Sequence, residues 1–236
     1  MNLRLSARAL YIIAGGALLL SLPLAADLTE DPFLLDLGSR ILIYAIAAVG
    51  LDLIVGFGGL ISLGHAAFFG LGGYTVAILS FHLNDGSSLL HVPVFPGGSE
   101  EIMITLPAAA AVSALAACGI GALSLRTSGV YFIMITLAFA QMIYFLFITV
   151  PTYGGEDGLV MWSRNHLGPI DLSKETSFYY VCLGLLCLVL LLAYRLTRSR
   201  FGLIFQASKS NEQRLSALGY PVYRYRLLAF TLSGGI

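Results

Sequence analysis

The sequence predicts an all-α integral membrane protein, a polytopic bundle of about six transmembrane helices plus the start of a seventh. Three observations point there. The 236 residues are 58% hydrophobic and only 11% charged, against about a quarter charged in ordinary soluble domains. The apolar residues gather in runs close to the roughly 20 residues that a spanning helix needs. The runs lack period-2 alternation, so helices, not a closed barrel, are expected to satisfy the backbone in lipid.

The runs follow in order: Ala9–Ala26, Ile41–Val55, Gly59–Leu83, Ile102–Leu125, Gly129–Val150 and Phe178–Leu196. The first, with its basic start and its "LPLAAD" end, also fits a cleaved signal peptide. At 18 residues it is longer than a usual signal core, which favours a retained helix. A seventh run begins at Leu227 and supplies ten residues, about 15 Å of helix against a hydrocarbon core of roughly 30 Å. The chain is therefore expected to be C-terminally truncated. A single membrane domain, residues 1–236, is expected, with outer loops at about 84–101 and 151–177.

The net charge of zero hides an alternation along the chain. Arg4 and Arg8 precede the first run, and Asp27, Glu30 and Asp31 follow it. Asp85, Glu100 and Glu101 lie between the third and fourth runs, and Arg126 between the fourth and fifth. Glu156, Asp157, Asp171 and Glu175 outnumber Arg164 and Lys174 in the next loop. Arg195, Arg198, Arg200, Lys209, Arg214, Arg224 and Arg226 then face Glu212 alone. The positive-inside rule puts the N-terminus and the 197–226 segment in the cytoplasm, with an even number of crossings between them. Asp36 and Arg40, four apart, are placed to pair on one helix face, and Asp52 falls near the cytoplasmic end of its run.

"GFGGLISLGHAAFFGLGGYT", from Gly56 to Thr75, is the least ordinary stretch. Small residues let membrane helices approach closely, and Gly59, Ala66 and Gly73 recur at intervals of seven, one face of a continuous helix. The same glycines also suit a helix broken at Gly56–Gly59, whose uncapped backbone groups meet a substrate. His65 stands at membrane depth, where an ionisable group is a functional candidate. A neutral imidazole bonded to a neighbouring helix fits the sequence as well.

Within 197–226, "NEQRLSALG" forms a short helix candidate, capped by Asn211 and ended by Gly219 and Pro221. Leu215 and Leu218 share a face there. A small apolar patch with basic flanks suits docking on another protein. A basic segment resting on anionic lipid suits it equally.

Four blocks resemble one family, the LivM-type permeases, membrane subunits of branched-chain amino acid ABC transporters. "GFGGLISLGHAAFFGLGGYTVAIL" is similar to the family's glycine-rich helix. "LRTSGVYFIMITLAFAQMI" (125–143) resembles its Arg–turn–aromatic–helix stretch, with Gln141 where members often carry Glu. "TYGGEDGL" (152–159) resembles an outer-loop motif, and "SRFGLIFQASKSNEQRLSALGYPVYRYRLLAF" (199–230) the cytoplasmic loop. The resemblance implies an importer subunit in the bacterial inner membrane. Its implied partners are a second permease, two ATPase chains and an extracytoplasmic binding protein. Its substrate would be a branched-chain amino acid, with urea or short amides as the alternative. The implied pathway runs along the 56–83 and 129–150 helices, at Gly58, Gly59, Ser62, Gly64, His65, Phe68, Tyr131 and Thr136.

The resemblance also implies an ATPase-coupling loop at Glu212, Gln213, Arg214, Leu215, Ala217, Leu218 and Gly219. Family loops carry Glu-Ala-Ala, three residues, then Gly. Here Gly219 fits, Gln213 stands at the Glu position, and Arg214 and Leu215 replace the alanines. No phosphate-binding G-x-x-x-x-G-K-[ST] occurs, and the chain has only two lysines. ATP is therefore expected to be used by partner subunits, with no cofactor, metal or nucleic acid bound by this chain. Clustered ligands or a nucleophile–base pair, which an enzyme needs, do not stand out. Internal repeats, which a self-sufficient carrier often shows, do not stand out either. Cys118, Cys182 and Cys187 read as packing residues.

Overall fold

The computed structural model describes residues 15–24, 26, 32–85, 99–159, 161, 172 and 174–236. Five of the described helices are long and apolar enough to cross a membrane. These are α2 (Pro32–Asp52), α3 (His65–Asp85), α4 (Ile102–Ser124), α5 (Val130–Thr149) and α6 (Glu175–Thr197). The first apolar run appears as a shorter helix, α1 (Gly15–Leu24). Its basic residues Arg4 and Arg8, and most of the 84–101 and 160–173 segments, lie outside the described residues.

Inside and outside are arranged as lipid demands. Ser39, Ser80, Thr105, Ser113, Thr136 and Ser233 are buried, whereas Met103, Leu115 and Tyr131 stand about three-quarters exposed. Lipid removes the hydrophobic drive between helices, so small hydroxyls and close contacts hold the interior while large apolar groups face outward. Ser113 Oγ donates to the Phe68 carbonyl at 3.1 Å and so joins α4 to α3. The hydroxyl of Tyr179, a fully buried ring on α6, donates to the Leu19 carbonyl of α1 at 2.8 Å. A Cβ at Gly38 of α2 would press on that ring and on Leu22. Helix α1 is thus seated against α2 and α6.

Helix α2 begins well before the expected Ile41. Asp36 and Arg40 pair at 2.9 Å within it, which lets the helix run through charges that interrupt the apolar pattern. The segment after α6 holds more helix than the sequence suggests. It comprises α7 (Arg200–Ser210), α8 (Glu212–Ala217) and α9 (Val222–Gly234). The seventh run therefore begins as helix at Val222 and not at Leu227.

The expected span Gly59–Leu83 is corrected most. Helix α2 relaxes into a π-turn over Leu53–Phe57, residues 58–64 are not helical, and α3 begins only at His65. Gly59 takes φ +68°, a left-handed backbone that suits glycine. Gly59, Ala66 and Gly73 consequently do not form one helical face. Added Cβ atoms at Gly70 and Gly73 would meet nothing, and at Gly72 only Ser113 Oγ.

Candidate functional site

The break in the glycine-rich stretch is held from three sides. From below, Phe205 of α7 occupies the space that a side chain at Gly58 would need, and the Lys209 stem lies over Gly59. Lys209 Nζ donates to the Gly56 carbonyl at 3.0 Å. From the side, Gly64 rests on the backbone of Thr136 in α5, where a Cβ would collide with the Thr136 carbonyl. Thr136 is itself buried and donates to its own helix at Ile133.

The third brace is His65. Its Nε2 lies 2.6 Å from Ser233 Oγ of α9, and that hydroxyl donates to the Gly50 carbonyl of α2. With the hydroxyl proton given to Gly50, the pair is complete when Nε2 carries the hydrogen and donates to Ser233. One chain of bonds therefore joins α3, α9 and α2. The rings of Phe68 and Phe230 meet the imidazole edge to face, at centroid distances of 5.4 and 5.8 Å. Phe132 closes the cluster against Phe230.

Polar groups are left over at this joint. Ser62 Oγ and His65 Nδ1 are buried without a hydrogen-bond partner among the described residues. The N–H groups of residues 61–64 have no backbone partner among the described residues. Ser113, whose hydroxyl meets Phe68, lies halfway along α4, so the start of α3 sits deep in the bundle. Non-helical backbone at such depth is tolerated where protein buries it or a polar cavity bathes it.

The structure thus brings Gly58, Gly59, Ser62, Gly64, His65, Phe68 and Thr136 into one region. Tyr131 is not among them; it stands on the outer face of α5, 74% exposed. Sequence reasoning missed the bracing residues Phe205, Lys209, Ser233 and Phe230. The basic run and the seventh apolar run contain them, but nothing local ties them to Gly56–His65.

The segment Glu212–Gly219 is a well-ended short helix. Asn211 Oδ1 accepts the Arg214 N–H at 2.9 Å. Gly219, at φ +85°, closes α8 with Gly219 N–H to Ser216 O at 3.0 Å and Tyr220 N–H to Leu215 O at 3.1 Å, the paired bonds of a Schellman end. The expected Leu215–Leu218 patch is corrected. Leu215 is 9% exposed and turned into the protein, and Leu218 projects, at 68%, because α8 ends at Ala217 and Leu218 is its C-cap, outside the helix. Arg226 of α9 clamps the segment from behind. It donates to Glu212 Oε2 at 2.7 Å and to the Ser208 carbonyl at 2.9 Å.

At the other end of the bundle, Gly154, Gly155 and Gly158 all take positive φ within the 151–158 turns. The Tyr153 hydroxyl lies 3.2 Å from His82 Nε2 at the end of α3. No group of three or more His, Cys, Asp or Glu able to hold a metal occurs among the described residues.

The fold defines an all-α polytopic membrane protein in which a non-helical stretch, residues 58–64, joins two membrane-length helices. A family model described as "Branched-chain amino acid transport system / permease component" matches residues 33–236, and the chain belongs to this family. It is similar to the high-affinity branched-chain amino acid transport system permease protein LivM of Salmonella typhimurium (strain LT2), with 28% identity over 84% of this chain and 49% of the relative. LivM of Escherichia coli (strain K12) is 26% identical over the same shares. The chain spans about half the length of these relatives. No solved structure matches with significance.

Proposed function

We propose that this chain is the membrane-spanning permease subunit of an ATP-driven ABC importer for branched-chain or related hydrophobic amino acids. Family membership over residues 33–236 carries this reading. The chain sits in the bacterial inner membrane as one permease domain, with its N-terminus and the α7–α8 segment in the cytoplasm. It works with a second permease, two ATPase subunits and an extracytoplasmic binding protein. The partners use ATP, and this chain binds no cofactor.

The broken helix supports a route for a zwitterion. The N–H groups of residues 61–64, without a backbone partner among the described residues, and the positive end of the α3 dipole favour a carboxylate. Ser62 Oγ and His65 Nδ1 add polar atoms beside it. In this reading the segment Glu212–Gly219 docks on the ATPase, and the outward projection of Leu218 supports it.

The test is capture from the native membrane. Tagged chain, gently solubilised, is expected to bring down an ATPase and a second permease. Replacing Glu212–Gly219 by a Gly/Ser linker is expected to lose the ATPase while keeping the permease. A well-folded chain that returns no ATPase would refute the importer reading and point to a self-sufficient carrier.

A further inference from the structure

Arg226, Phe230 and Ser233 occupy one stripe of α9. Four and seven residues apart from Arg226, the other two lie with it within about 60° around the helix, and Arg226 and Ser233 stand about 10 Å apart along it. Each makes a different attachment. Arg226 holds Glu212 of α8 and the Ser208 carbonyl at the end of α7. Phe230, fully buried, is enclosed by the rings of His65, Phe68 and Phe132. Ser233 bonds His65 at the start of α3 and Gly50 near the end of α2.

These contacts are the more telling because the attachments are polar and directional at both ends. An α-helix barely changes length, so a displacement imposed at Arg226 must appear at Ser233 or break one of the attachments. The Arg226 side chain is 16% exposed and Glu212 52%, so the ion pair is open to solvent screening and the bond to the Ser208 carbonyl is the more sheltered attachment. Lys209 and Phe205 provide a second, shorter contact between the α7–α8 segment and the break, at Gly56, Gly58 and Gly59.

We infer that α9 is the rod that carries movement of the α8 segment to the non-helical stretch 58–64, with Arg226 and Ser233 as positioning residues at its two points of attachment. The inference rests on the importer reading and adds the internal route by which the partner ATPase reaches the break. Neither residue touches substrate or nucleotide in this scheme.

The test is a double-mutant cycle in proteoliposomes. The chain is expressed with the ATPase, second permease and binding protein of its own source, and both ATP hydrolysis and leucine uptake are measured. Arg226→Gln and Ser233→Ala are each expected to leave ATP hydrolysis within about twofold while raising ATP consumed per leucine about tenfold. The double variant is expected to be no worse than either single one, because one linkage is cut once. Groups about 10 Å apart that share no partner and act only structurally add their effects. Additive losses, or an unchanged ratio of ATP to leucine in Arg226→Gln, overturn the inference. Where either variant fails to assemble, Arg226→Lys and Ser233→Cys give the same cycle with less disturbance. A wild-type chain that captures no ATPase overturns the importer reading first, and this inference with it.

Discussion

Two glycines nine residues apart are expected to respond to the same substitution with opposite signs. Gly64 stands at the start of α3, and a methyl there would collide with the Thr136 carbonyl. Backbone cannot swing aside as a side-chain end can, so α3 and α5 must separate. Overpacking of this kind costs about 1–3 kcal/mol, and a backbone obstacle places Gly64→Ala near the top of that range. Gly73 lies inside α3, where an added Cβ meets nothing within 4 Å. There Gly→Ala removes conformational freedom from the unfolded chain and gains about 0.5–1 kcal/mol. The two variants should therefore differ by about 3.5 kcal/mol, about 10 °C in melting temperature for a chain of this size. With Cys118 and the exposed Cys187 replaced by Ser, melting in detergent can be followed with a thiol-reactive dye that reports the buried Cys182. Equal melting temperatures for the two variants would refute the close approach of α3 to α5 at Thr136.

Further outcomes are expected. Tyr179→Phe keeps the ring but leaves the Leu19 carbonyl without its 2.8 Å donor. A loss of about 1 kcal/mol and faster hydrogen exchange confined to α1 should follow. Gly219→Ala forces an L side chain into φ +85°, costing about 1 kcal/mol. ATPase capture should weaken while the membrane helices keep their exchange protection. His65→Gln retains an amide N–H able to reach Ser233, so melting and uptake should stay near wild type, whereas His65→Ala should lose both. A folded His65→Gln protein without uptake would show that the imidazole itself serves transport.

Hydropathy made the membrane helices legible wherever one apolar run coincides with one helix. The expected Ile102–Leu125, Gly129–Val150 and Phe178–Leu196 end within three residues of α4, α5 and α6. It failed where charges interrupt the run. Asp36 and Arg40 hide the start of α2, although their spacing already offered the pair that makes them tolerable there. Arg224 and Arg226 hide the start of α9 in the same way, and the low apolar content of "RFGLIFQASKS" hides α7. At the site, the glycines announced a break, but its length of seven residues, 58–64, was out of reach. That length is set by partners distant in sequence. Lys209 lies 153 residues from Gly56, and Ser233 lies 168 from His65. Local pattern carries no trace of such pairings. Tyr131, placed on the path by the resemblance alone, stands 74% exposed on α5, apart from the residues gathered at the break.

The manner of bracing follows from the solvent. In water, an interrupted helix is held by the apolar surface it buries. In lipid that drive is absent between helices, so the break must be fixed by contacts that lipid cannot imitate. The structure uses two kinds. Close backbone approach at Gly64 gives dispersion contacts that a chain with side chains there cannot make. Directional bonds at Gly56, Gly50 and His65 satisfy groups that lipid would leave unpaired. The first kind fixes where α3 starts, and the second fixes which neighbours it follows. A joint held by a few such bonds is specific in one arrangement and can be remade in another. A continuous Leu-rich helix packed on lipid and protein alike would be neither. On this argument the seven glycines between Gly56 and Gly73 serve two ends. Gly58, Gly59 and Gly64 admit Phe205, Lys209 and Thr136 to the break, while Gly70 and Gly73 lie on open faces of α3 that pack against nothing described.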